Sequence, residues 1–82
     1  MTIYTTHGRE RLFTRGIPQE AIERAVTNPF LEGNARDGTR WGIVRAICGN
    51  VWKFVKVIWL RSVDGPVIVT AYHVSGRVAV EG

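Results

Sequence analysis

Apolar and polar positions change period once along the chain, and the change falls near Pro29. Before it, Ala21, Ile22, Ala25 and Val26 recur at i, i+1, i+4 and i+5, the stripe of an amphipathic helix. Pro18 opens that helix, where its missing N–H is not needed. Asn28, biased away from helical geometry by Pro29, closes it. Glu20 and Arg24 stand four residues apart on the polar side and pair there. Further upstream, Thr6 reads as an N-cap and Gly16 as a left-handed terminator, which predicts an earlier helix over about 7–14. The β-branched "TIYTT" at 2–6 reads as a first strand or an extended lead-in.

After Pro29 the period is two. "FLEGNAR" is a weak strand candidate because Gly33 and Asn34 interrupt it, and "DGT" at 37–39 is a hairpin turn signal. "RWGIVRAI", a "CGN" turn, the long "VWKFVKVIWLR", a "SVDGP" turn and "VIVTAYHV" follow. In the long segment Trp52, Phe54, Lys56, Ile58 and Leu60 share one face, while Val51, Lys53, Val55, Val57 and Trp59 share the other. Neither face is cleanly polar, which marks a central strand. Together these elements predict an α+β fold: two N-terminal helices packed on one face of a three- to four-stranded antiparallel sheet, with the opposite face available to a ligand or partner. One domain is expected over 1–82, with helices within about 7–28, hairpins over about 30–74, and a tail at 75–82 that is an edge strand or loose.

Composition narrows the function. The 82 residues carry a net charge of +4, a pI near 10.0 and 45% apolar residues, enough for a small packed core. Nine of the eleven basic residues are Arg, whose planar fork matches phosphate and carboxylate. Between Asp37 and Asp64 there is no acidic residue, yet Arg40, Arg45, Lys53, Lys56 and Arg61 all fall there. Such a segment is the footprint of a surface that meets nucleic acid or an acidic protein, and these five residues are the candidate nucleic-acid contacts. A solubilising charge is the plainer alternative. Cys48 is the sole cysteine, so no internal disulfide and no cysteine-rich zinc site is expected. No metal or cofactor is called for, no secretory leader or membrane span is visible, and a cytoplasmic setting is the default.

The chemistry-bearing residues cluster at the two ends of the pattern. On a helix Arg11 lies about 40° from His7, whereas Leu12 and Phe13 lie at about 140° and 240°. His7, Arg11 and Arg15 thus share a side away from much of the apolar one, either as a phosphate-holding face or as a solvated one. His73 closes the last strand with Ala71 on its face, and Thr70 and Tyr72 lie on the other. Two histidines could cleave RNA by acid–base catalysis of attack by a 2′-OH, with cations on the phosphate and no metal. Trp41, Trp52 and Trp59, interleaved with Lys and Arg, are either base-stacking platforms or packing residues. Asp37 and Asp64 are turn residues, and Cys48 is assigned no role. A phosphate loop, HExxH and GxSxG are all absent.

The order H-x3-R-x3-R-G-I, then a Pro-initiated helix, N-P, and a final V-x-T-x-Y strand resembles a small prokaryotic domain-of-unknown-function family. It is carried by His7, Arg11, Arg15, Gly16, Ile17, Val26, Asn28, Pro29, Val69, Thr70 and Tyr72. That family in turn is similar to the RelE, ParE and BrnT toxins and to the barnase–EndoU–colicin–RelE superfold. The resemblance implies a RelE/barnase-like fold and a toxin-like, metal-independent ribonuclease or RNA-binding protein of a toxin–antitoxin system. It implies His7 as the acid–base group, Arg11 and Arg15 on phosphate, and Thr70 and Tyr72 contributing from the last strand, with His73 the second histidine of the candidate catalytic set. The partners expected are RNA, an acidic antitoxin and, through an exposed sheet edge, a second copy of the chain. The alternative is a non-catalytic basic module that binds nucleic acid or an acidic protein partner.

Overall fold

A computed structural model describes residues 2–6, 9–10 and 15–75. The elements in chain order are β1 (Ile3–Tyr4), α1 (Gln19–Thr27), β2 (Leu31–Asn34), β3 (Arg40–Cys48), β4 (Val51–Ser62) and β5 (Gly65–Val74). All five strands form one sheet in the order β1-β5-β4-β3-β2. The β2–β3, β3–β4 and β4–β5 pairs are antiparallel, and β1 runs parallel to β5 through Ile3 opposite Val67 and Tyr4 opposite Ile68.

This corrects the expected architecture of two helices on a three- to four-stranded antiparallel sheet. The sheet has five strands and is mixed, and α1 is the single helix element among the described residues. The expected helix over 7–14 lies outside the described residues except at Arg9 and Glu10, which have helical backbone, with the Arg9 N–H bonded to the Thr5 carbonyl at 2.9 Å. Pairing, not periodicity, made the difference. A two-residue strand such as Ile3–Tyr4 has no period to read, and its partner lies more than sixty positions away. The interrupted "LEGN" is a strand because it pairs along β3, with the indole of Trp41 lying over Gly33 where a Cβ would stand.

The turns fall where the glycines allow them. Gly49 adopts φ 69° at the first central position of the β3–β4 hairpin, a left-handed conformation that side chains disfavour. In the 35–39 turn the Asp37 carboxylate accepts both the Thr39 N–H at 3.0 Å and its hydroxyl at 2.6 Å, which holds the carboxyl below its ordinary range.

The core lies between α1 and one face of the sheet. Ala21, Ile22 and Ala25 meet Val44 and Ala46 of β3, Val55, Val57 and Trp59 of β4, and Ile68 and Ala71 of β5. Small residues on the helix let it lie close to the strands. At Gly42 the approach is closest: an added Cβ would stand 2.1 Å from the Ala25 carbonyl oxygen. A bulge in β5 shapes the same layer. Ile58 pairs with Thr70 but Trp59 pairs with Ile68, so Val69 is the extra residue. Without it Ile68 and Ala71, three positions apart, would point to opposite faces; with it both are buried.

Side chains of α1 also hold the sheet edge where β1 lies. Thr2 donates to one Glu23 carboxylate oxygen at 2.6 Å and Tyr4 to the other at 2.9 Å. Burial, followed by the bond to the Glu23 carboxylate, pushes the Tyr4 phenol well above its ordinary value. On the polar side of the helix the expected Glu20–Arg24 pair is present, with Nε and Oε1 2.5 Å apart. It is an ion pair only, since the Nε–H makes no hydrogen bond. Being exposed, it adds about 0.3–0.5 kcal/mol.

Two outcomes follow from this layer. Gly42→Ala drives a methyl into helix backbone that no rotamer change can clear, so urea denaturation is expected to show a loss of about 2–3 kcal/mol. Because the folded chain retains the Tyr4 proton after the unfolded chain has lost it, the contribution of this group is complete below about pH 10 and declines as pH rises further. Melting temperatures measured from pH 8 to 11 are expected to fall less steeply at the alkaline end for Tyr4→Phe; an unchanged slope would refute the latch.

Candidate nucleic-acid interface

Strand alternation and register divide the candidate residues between the two faces of the sheet. Val55, Val57 and Trp59 point toward α1, so their cross-strand partners Ala71 and His73 on β5 and Arg40 and Gly42 on β3 do so as well. The opposite face carries Trp41, Ile43, Arg45 and Ile47 from β3, Trp52, Phe54, Lys56, Ile58 and Leu60 from β4, and Thr70, Tyr72 and Val74 from β5. No described element covers this second face. Ile43 is nonetheless fully buried there and stands outside the main core cluster.

Cations on the open face sit against indole rings. Lys56 Nζ lies 4.9 Å from the Trp41 ring centroid, and the Arg45 guanidinium carbon lies 4.9 Å from that of Trp52. These cation–π contacts extend two flexible side chains along the sheet and leave their remaining donors outward. Phe30 packs on Phe54, ring centroids 6.1 Å apart. Trp52 is 56% exposed and Ile47 51%. Every acidic residue in the described segments belongs to a turn, to α1 or to other positions off this face; Glu32, the one acid within a strand, shares the side of its partner Gly42.

The five expected nucleic-acid contacts therefore divide. Arg45 and Lys56 stand on the open face. Arg40, which lies 5.7 Å over the Trp59 ring, Lys53, opposite Ala46, and Arg61 stand on the helix side. The three tryptophans divide too. Trp59 is a core residue at 7% exposure and has no face to offer a base. Trp41 covers Gly33 and remains half-buried, and Trp52 is the most open.

The candidate catalytic set is divided by the same sheet. Thr70 and Tyr72 face the open side, whereas Arg15 and His73 are on the helix side. There the Arg15 Nη1 group donates to the Ala71 carbonyl, and His73 Nε2–H donates to the Arg15 carbonyl at 3.0 Å. That bond needs the proton on Nε2, and the buried Nδ1 has no partner among the described residues. The two contacts tie the segment before α1 to β5. His7 and Arg11 lie outside the described residues. Neither Glu20 nor Glu23 takes up Arg15: Glu20 pairs with Arg24, and Glu23 with Thr2 and Tyr4. Burial pushes the Cys48 thiol above its ordinary value, with Lys53 partly opposing it, so the thiol is not activated. Among the described residues no group of three His, Cys, Asp or Glu side chains could hold a metal ion. No described helix is long and apolar enough to cross a membrane.

Sequence reasoning missed three contributors. The Glu23 latch on Thr2 and Tyr4 joins residues about twenty apart with no shared motif. The Trp–cation pairs are diagonal neighbours across strands, visible once the hairpin register is known: Trp41 opposes Ile58, two positions from Lys56. Arg24 donates through Nη2 to the Arg45 carbonyl at 2.8 Å, beyond its expected ion pair.

Among the described residues, one helix element on one mixed sheet, with the far face of the sheet cationic and covered by no described element, defines a small two-layer α+β domain. A family model described as a domain of unknown function, DUF4258, matches residues 4–73, and the chain belongs to that family. The match carries no link to the RelE, ParE or BrnT toxins. No curated protein and no solved structure matches the chain.

The His73 contact has a measurable consequence. His73→Ala removes the donor to the Arg15 carbonyl, and thermal denaturation is expected to show a loss of about 1–2 kcal/mol. A stability unchanged within error would mean that this hydrogen bond does not fasten the segment to β5.

Proposed function

We propose that the protein binds single-stranded RNA on its open sheet face. The observation that carries this reading is the coincidence, on a face that no described element covers and to which no described strand brings an acid, of Trp41, Trp52 and Tyr72 with Lys56 and Arg45 held against the indoles. Aromatic rings stack on bases without regard to sequence, and cations beside them meet the phosphates. A flat sheet suits an unpaired strand, whose bases are free to splay onto it, better than a duplex. Thr70 adds a hydroxyl to the same face for sugar or phosphate. In this reading Arg15 and His73 hold the N-terminal segment in place, and the protein is a binding module.

A RelE-like, metal-independent ribonuclease of a toxin–antitoxin pair is the second reading. What favours it is the His73 ring, whose Nδ1 has no partner among the described residues and which bonds Arg15 on the segment that supplies His7 and Arg11. Here His7, Arg11, Arg15, Thr70, Tyr72 and His73 would carry catalysis, and the basic strands the RNA.

One titration separates these. Oligouridine is expected to quench tryptophan fluorescence, with affinity falling on a log–log salt plot by about 0.7 per phosphate contact. Trp52→Ala is expected to weaken binding by about 1–3 kcal/mol, while Lys56→Gln and Arg45→Gln each make the salt slope shallower by about one contact. Binding that is absent or indifferent to salt sinks the proposal. RNA that stays intact in chelator favours the binding module; RNA cut by the wild type and spared by His7→Ala favours the ribonuclease.

A further inference from the structure

The backbone of β3 is paired on its outer side for only half its length. Partner β2 reaches it from Arg40 to Ile43, and the last bond of this kind runs from the Phe30 N–H to the Ile43 carbonyl at 2.8 Å. Pro29, without an N–H, precedes, and the chain turns back into α1. From Val44 to Cys48 the edge has no strand beside it among the described residues. The carbonyls of Ile43 and Arg45 both point to this outer side, since one meets Phe30 and the other Arg24. By the two-residue period the N–H groups of Arg45 and Ile47 and the Ile47 carbonyl point there as well. An open row of this kind is a template for another strand.

The surroundings select the visitor. A groove of about 430 Å³ runs alongside, lined by Pro18, Glu20, Arg24, Ile47 and Trp52. Ile47 and Trp52 supply an apolar floor, both more than half exposed. Arg24 on the helix, Arg45 on β3 and Lys53 across the hairpin outnumber the single acid, Glu20, which Arg24 already pairs. A second copy of the chain is a poor fit, because pairing two such edges brings Arg24 and Arg45 of one copy against those of the other. We infer that the Val44–Cys48 edge of β3 accepts an extended acidic peptide of a partner protein by strand addition. An apolar side chain of the peptide would lie over Ile47 and Trp52, and a carboxylate on the opposite side of the peptide strand would meet Arg24. The peptide N–H would take the Arg45 carbonyl from Arg24, freeing that guanidinium for the carboxylate. The inference does not depend on the RNA reading: both use the exposed Trp52 ring, but strand addition rests on the main-chain groups of the β3 edge.

The test uses the whole chain and a synthetic peptide of alternating Val and Glu, with an isosteric control carrying Lys for Glu, followed by amide resonances and hydrogen exchange. The expected result is saturable binding of the Glu peptide with protection of the Arg45 and Ile47 amides, and none with the Lys peptide. Arg24→Glu is expected to weaken the Glu peptide about fivefold and to admit the Lys peptide. Equal binding of both peptides, or shifts confined to the Trp41–Tyr72 face, would overturn the inference. So would prior protection of the Arg45 and Ile47 amides in the free chain, by a dimer seen in sedimentation or by another part of the chain, or protection of those amides by oligouridine.

Discussion

The close seat of α1 on β3 is the constraint from which the other features follow. Ala25 offers its backbone to Gly42 because neither residue has a side chain in the way, and the helix can then sink Ile22 between the strands. Burial of one helix stripe against one sheet face supplies most of the stabilisation in a domain of this size. It also consumes the only described helix. The second face of the sheet must therefore look after its own apolar residues.

It does so with side chains that are partly polar. Ile43 is fully buried on this face, and Trp41 folds over Gly33. Lys56 and Arg45 lay their stems along the sheet and their charges on indoles, an arrangement that covers apolar surface without removing the charge from solvent. The same arrangement makes this face a surface of rings and cations. On the other face Trp59 and Val57 are core residues, with Arg40 lying over the Trp59 ring.

The described chain before α1 is joined to the rest of the fold by polar contacts as well as by the buried Ile17 and by Tyr4 packed on the core. Glu23 collects Thr2 and Tyr4, and Arg15 exchanges hydrogen bonds with Ala71 and His73. Each contact links residues nineteen or more positions apart, so closing it costs loop entropy. Residues with the look of a catalytic set, an arginine and a histidine, thereby acquire a fastening role. Thr70 and Tyr72, adjacent in the chain to Ala71 and His73, are carried by the pleat to the other side.

Local pattern alone determined the bounds of α1, the β3–β4–β5 hairpins, the central place of β4 and the opposition of Thr70 and Tyr72 to Ala71 and His73, because each depends on a period or a turn residue within a few positions. The basic excess over 40–61 was equally plain in the sequence. Tertiary structure alone decided that Ile3–Tyr4 joins β5 in parallel, that Val69 bulges so that Ile68 and Ala71 share a face, that Trp59 is core while Trp52 is open, and that Arg24 reaches the bare edge of β3. These outcomes rest on which distant residues meet. Periodicity records which way a side chain points relative to its neighbours in the chain, but not what stands opposite it in space.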